Sequence, residues 1–365
     1  MDELMAHSLF SGRYSTSVAK RMVKVLNEFD AELTATLITV LDDADIDINS
    51  FTVRRLESLL SSVERINGQA IERAFAFLSD EMKAYAFHEV SFYPSLFNAL
   101  LPDAILRHYP FMGISEEMLY ASAMSRPFQG KLLSEWASGL EKDRMTRISN
   151  TVRNGYLNGD SAVQIGRKIR GHAKQNYKDG ALQMSRANAT SLAKTAINHV
   201  QATAREHLVD ANKDIIDCKQ WLSTLDNKTS HDCIVRDRLK YTLNGHPIGH
   251  KVPYKRGPGK IHWGCRSTET LILKSWRDLG IDADEMDDGT RASMDGQVPA
   301  KTTYLEWIQR QPEWRQRQVF GEVRFRLMKE GGMAPSEFYT DKGEFILLSE
   351  LKALDERAFK EAGYS

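Results

Sequence analysis

Apolar side chains recur at three- and four-residue steps from Val18 through Met22, Val25, Leu26, Phe29, Leu33, Leu37 and Val40, the spacing of one buried helix face. The pattern predicts a helix ending near Asp42. The acidic run DDADID reads as a solvated connection, and Asn49 or Ser50 as the cap of a second helix with the stripe Val53, Leu56, Leu60, Val63 and Ile66. Gly68 is expected to loosen the end of that helix, and a third segment runs from Ile71 to Val90. Prolines in FYPSLFNALLP and RHYPFMGIS limit helix length beyond it. Residues 1–140 therefore read as an antiparallel helical region whose aromatics pack a core.

Shorter helices follow. One is expected over Leu132 to Leu140, the next along Met145, Ile148, Val152 and Tyr156, with Gly155 and Gly159 punctuating its end. Ser161 and Gln164 have the spacing of a capping box ahead of Ile165 and Ile169. A long helix is expected over residues 181–211, burying Leu192, Ala196, Val200, Ala204 and Leu208. Arg186, Lys194 and Arg205 fall elsewhere on its surface, and His199 and His207 read as partly exposed.

From Trp221 to Ser267 the periodicity collapses and turn residues become frequent. Ile215, Ile216, Trp221 and Leu222 suit a strand leading to an Asp226-Asn227 turn, in which Asp226 accepts an N–H from Lys228 or Thr229. Past the acidic linker DADEMDDG, Tyr304, Trp307 and Ile308, then Trp314, Val319 and Phe320, predict short helices broken at Pro312. Gly331-Gly332 ends another helix, residues 345–348 suggest a small strand, and Ser349 the cap of a last helix carrying Glu350 and Glu356. This region reads as a helical arm or cap, with Trp307 and Trp314 either in a core or anchored on another subunit. The whole is a predominantly α-helical protein with a small α+β centre near 214–275.

Composition narrows the class. With 42% hydrophobic and 27% charged residues over 365 positions, the chain is globular. It has no run of eighteen apolar residues and opens on Met1-Asp2-Glu3, so neither a membrane span nor a signal peptide is expected, and the origin is cytoplasmic. Three cysteines exclude a disulfide scaffold. The net charge of zero conceals a division into three regions: 12 basic and 19 acidic side chains in 1–140, 25 and 12 in 141–277, 12 and 18 in 278–365. A basic centre between acidic ends points to an acidic partner, nucleic acid above all, or to the ends docking on the centre. Lys240, Lys251, Lys255, Arg256 and Lys260, in loop-rich sequence, are the candidates for contact with phosphates; the alternative is a solvated basic loop.

The same stretch concentrates the chemistry, holding two of the three cysteines and four of the ten histidines. Cys233, His262 and Cys265 offer the thiolate and imidazole donors that suit zinc, with His231, Asp226 or a water as the fourth ligand. Strand alternation would put His231 on the face of Cys233. Packed thiols beside a hydrogen-bonded histidine are the alternative. A nuclease or transferase would use His231 or His262 as general base, Arg266 as electrostatic stabiliser and Asp226 as orienting acid. The chain has no phosphate-cradling glycine-rich loop, no carboxylate cluster for two metals and no nucleophile in a recognisable turn, so a non-enzymatic role is expected.

The run W-L-S-T-L-D-N-K-T-S-x-x-C, followed by a proline-and-basic loop and H-W-G-C-R, resembles the phage head morphogenesis family, the Mu F-like minor head proteins. In that family a Trp and an Asp precede a short basic-Thr or basic-Val turn and then a Cys or His, and the domain closes on H-x-x-C-R-C or a near variant. Trp221, Asp226, Lys228, Thr229, Cys233, His262, Cys265 and Arg266 occupy those positions, and Ser267 stands where many members carry a further cysteine. GDSAVQIGRKIRG resembles the family's helical lead-in, and the segment from Ala292 to Gly332 its C-terminal extension, so the resemblance covers roughly residues 150–350. It implies a minor capsid protein inside a tailed-phage head, associated with the portal vertex and acting in head assembly and genome packaging or delivery. The implied partners are portal protein, coat or scaffolding protein and double-stranded DNA bound without sequence preference, with no membrane. The implied places are the virion and, during assembly, the host cytoplasm. Residues 1–140 would then dock on portal or capsid.

Overall fold

The computed structural model describes residues 2–44, 53–280 and 289–364. In chain order the helices are α1 (Asp2–Asp43), α2 (Val53–Leu100), α3 (Asp103–His108), α4 (Glu116–Ser125), α5 (Leu133–Leu157), α6 (Ala162–Arg170) and α7 (Gln183–Ala211). There follow β1 (Ile216–Leu222), α8 (His231–Ile234), β2 (Lys240–Tyr241), β3 (Pro247–Ile248) and β4 (Thr268–Leu273). The chain ends with β5 (Thr290–Ser293), β6 (Gly296–Pro299), α9 (Tyr304–Gln309), α10 (Glu313–Lys329), α11 (Leu348–Leu354) and α12 (Glu356–Glu361). The protein is mostly helical with a small antiparallel sheet. No helix of the described residues is long and apolar enough to cross a membrane. The expected caps Asn49 and Ser50, half of the first acidic run and most of the second lie outside the described residues.

Two compact units form: a helical one of Arg13–His88 and Glu116–Val200, and a mixed one of Met1–Gly12, Glu89–Ser115 and Gln201–Ser365. In the helical unit, Leu33, Leu37, Leu60, Val63 and Ile66 meet Ile148, Val152, Ile165 and Ile169 in one buried cluster. At its heart is Asp30, which accepts from Arg144 Nη2 at 2.5 Å and from Arg186 Nη2 at 2.8 Å, all three side chains being buried. Arg186, expected on the helix surface, is thus inside, and Arg205 is buried within the mixed unit. His199 is buried as well, its ring bonded to the Ala123 carbonyl at 3.0 Å, whereas His207 is half-buried. The capping box is present: Ser161 Oγ accepts from Gln164 N–H, and Gln164 Oε1 from Ser161 N–H.

Two pairs of expected helices are fused. Gly68 does not end the second helix, because the buried stripe continues through Ala70, Ile71, Ala74, Leu78 and Met82. One interior glycine costs about 1 kcal/mol, less than the burial of that stripe provides. Pro94 also lies inside α2, which stops only before Pro102. Likewise α5 runs through residue 140, so the division of charge at 140/141 falls within a helix. Charge changes there, but packing does not.

In the mixed unit the sheet order is β3-β2-β1-β4, all antiparallel, with Lys219 opposite Leu271 and Trp221 opposite Glu269. The C-terminal region, expected as a helical arm or cap, packs within this unit: Tyr304, Trp307, Ile308, Phe320, Leu327, Phe338, Leu351 and Phe359 cluster with Leu225 and Ile234. Trp307 is 2% exposed, whereas Trp314 stays 56% exposed. The strand expected at 345–348 shrinks to a single bridge between Tyr339 and Phe345, and Leu348 already begins α11. Leu347, not Ser349, is the cap residue, its N–H donating to Glu350. The hairpin of β5 and β6 was not anticipated.

Candidate metal centre

Strand β1 delivers Trp221 to the interior, fully buried, its indole N–H donating to Ser223 Oγ at 3.1 Å. The chain then turns at Asp226 as expected. Asp226 Oδ1 accepts the Lys228 N–H at 2.9 Å and the Thr229 hydroxyl at 3.2 Å. Arg266 grips both carboxylate oxygens. Burial alone would raise the Asp226 carboxyl, but the Arg266 guanidinium outweighs it and holds the group below the usual carboxylate range. This fork ties the start of the motif to its last residue.

Between those ends, α8 presents Cys233 to the loop that carries His262 and Cys265. Cys233 Sγ lies 3.3 Å from His262 Nε2 and 3.7 Å from Cys265 Sγ. The three donor atoms lie within 4.8 Å of one another, close enough to share one metal ion. His262 Nδ1 is 2.9 Å from the Trp263 carbonyl. A carbonyl only accepts, so Nδ1 carries the proton and Nε2 turns its lone pair inward, the arrangement that fixes a ligating imidazole. Ser230 Oγ donates to the same Nε2 at 2.7 Å, and the Gly259 N–H donates to Cys265 Sγ at 3.3 Å. The loop reaches this position through Gly257, at φ +82, where a Cβ would sit 2.8 Å from the Tyr254 ring.

The hydrogen bond from Cys233 holds the Cys265 thiol well below its ordinary range, and that same bond raises Cys233 well above it. The Cys265 sulfur in turn raises His262. Beside the donors is a cavity of about 20 Å³ lined by Lys228, Ser230, Cys233, His262, Arg266 and Ser267. That is room for about one water.

His231 does not join the cluster. It lies on a helical turn, not a strand, and residues two apart on a helix point to opposite sides. Its ring stacks on Phe345 at 3.7 Å and bonds the Tyr339 hydroxyl at 2.8 Å. Burial, with the nearby Arg324 charge, pushes it down to about 4. The basic candidates disperse. Lys251 pairs with Asp341 at 2.9 Å, Lys255 with Asp232 at 2.7 Å and Lys260 with Glu206, while Lys240 and Arg256 are exposed.

One buried pair had no signature in the sequence. Asp237 takes both guanidinium nitrogens of Arg291, at 2.9 and 3.1 Å, together with the N–H groups of Ser223 and Tyr304, each at 2.7 Å. It fastens the end of β1 to β5 and to the start of α9. Compared with known proteins, the chain matches no family model, no curated protein and no solved structure.

Proposed function

We propose that this chain is a minor head protein of a tailed phage, a structural component at the portal vertex that acts in head assembly and genome packaging or delivery and touches DNA. One observation carries the proposal. Trp221, Asp226, Cys233, His262, Cys265 and Arg266, residues on which the resemblance rests, converge from both ends of a 47-residue stretch into one knot, with Trp221, Cys233 and Cys265 buried and the other three half-buried. A motif that closes on itself in this way builds a domain. The adjoining cavity of about 20 Å³ has room for about one ion or water, which favours structure over catalysis.

Zinc is the metal this donor set fits. With Zn–S of about 2.3 Å and Zn–N of about 2.0 Å, a tetrahedral site has S···S edges of about 3.8 Å and S···N edges of about 3.5 Å. The observed separations are 3.7 and 3.3 Å. Cys233, His262 and Cys265 would hold the ion, and the cavity beside Ser230 and Ser267 leaves space for a fourth ligand. The ion would cross-link α8 to the loop before β4 and so add directly to folding stability.

The test is affinity capture from infected cells read by mass spectrometry. Recovery of portal and coat proteins is expected; recovery of cellular enzymes alone, with no virion component, would reject the proposal. Cleavage of supercoiled plasmid by the purified chain, abolished by His262→Ala, would replace it with a nuclease.

A further inference from the structure

We infer that the last turn of α6 and the loop that follows it, residues 167–178, are a docking surface for the phosphate backbone of double-stranded DNA. Between Ser161 and Leu182 the chain places five lysines and arginines against a single aspartate. Lys168 pairs with Asp160, and His172 with Asp179 at 2.5 Å. Arg167, Arg170, Lys174 and Lys178 make no ion pair with any described residue, and all but the half-buried Arg170 are exposed. The loop at 240–260 is different, because three of its five cations are already neutralised by acids of the fold.

These cations stand on a fixed backbone. The last carbonyls of α6 are all satisfied, Arg167 by Gly171 N–H at 2.7 Å, Lys168 by Ala181 N–H at 2.9 Å, Ile169 by Leu182 N–H at 3.1 Å and Arg170 by Arg186 Nη2 at 3.2 Å. Asn176 and Tyr177 both hold positive φ, at 51° and 58°. Arg186 locks that turn by donating to the Tyr177 carbonyl at 2.9 Å while its other nitrogens hold buried Asp30. Arg170 is oriented in turn, its guanidinium 4.7 Å above the Tyr177 ring. A loop ordered before binding loses less conformational entropy when it docks.

The layout selects a polymer over a small anion. Arg167 and Arg170 are about 4.5 Å apart along the axis of α6, and Lys174 and Lys178 are exposed on the loop that follows. A small anion needs donors that converge, whereas a row of cations neutralises successive phosphates and releases their counterions. The inference rests on DNA being a partner of this chain and assigns the contact to a surface outside the 221–267 motif.

Binding of the full chain to a labelled duplex, read by fluorescence anisotropy against rising salt, tests it. Combined Arg167→Gln, Lys174→Gln and Lys178→Gln should weaken binding at least about tenfold at low salt and make the log–log salt slope less negative by about 2.7. Those three side chains make no hydrogen bond to a described residue, so the melting curve should not move. Lys240→Gln with Arg256→Gln should change affinity less than about threefold. If that double variant collapses and the triple variant stays within about twofold of wild type, the inference falls while DNA binding stands. If wild-type chain binds no duplex at low salt, or binds only phosphatidylserine vesicles, the inference and the DNA contact fall together.

Discussion

Both units bury an aspartate between cations or donors, yet they use it differently. In the helical unit Asp30 sits between Arg144 and Arg186, inside a cluster already packed by the stripes of long helices. In the mixed unit Asp237 and Asp226 clamp strands of two to seven residues and a four-residue helix that have little apolar face of their own. Long helices bury enough surface to define their packing, and the charges inside them set register. Short elements depend on the polar clamps, and on the Cys233–His262–Cys265 cluster, to be held at all.

Removing each clamp sharpens that contrast. Asp237→Ala should produce the largest loss, at or above the 3–5 kcal/mol typical of breaking a buried pair, because Arg291, Ser223 N–H and Tyr304 N–H all lose their acceptor. Asp30→Ala should lose about 3–5 kcal/mol by stranding two arginines. Thermal melts would rank the two, and equal losses with both units opening together would break the comparison. A smaller effect of about 1–3 kcal/mol is expected from Gly155→Ala, since its Cβ would fall 2.4 Å from Ile165 Cγ1. Ser161→Ala, which removes the cap of α6, should lose about 1 kcal/mol.

His231 supplies a pH dependence confined to the mixed unit. Its folded value, about 4, lies below the ordinary 6.5, so the unfolded chain binds the proton more readily between the two. The stability it contributes is complete above about pH 6.5 and drains away as the pH falls toward about 4. His231→Phe, which keeps the stack on Phe345, should flatten that part of the pH–melting curve; an unchanged slope would assign it to other groups.

The same contrast explains what could be read in the residues. The stripe from Val18 to Val40, the capping box at Ser161 and the buried face of α7 follow from 3.6-residue periodicity and are present. Gly68 and Pro94 misled because a local breaker is outweighed by a buried face continuing on both sides. Arg186 and His199 misled because a polar side chain on a helix shows no sign of the partner that draws it inside. In the mixed unit the Asp226 turn and the His262-x-x-Cys265 pair are legible as local spacing, and Cys233, 32 positions from Cys265, joins them by the chemistry of its donor atom. The Asp237–Arg291 pair was not, since 54 positions separate its members and neither carries a motif.

Cys233, His262 and Cys265 could hold one metal ion, and the structural zinc proposed for them would be the centre around which the 221–267 stretch folds. Elemental analysis of protein purified without chelator tests it directly. One zinc per wild-type chain is expected, lost in Cys265→Ser together with amide-exchange protection across 221–267. A folded wild-type chain with no zinc, and with the same protection in Cys265→Ser, would contradict it.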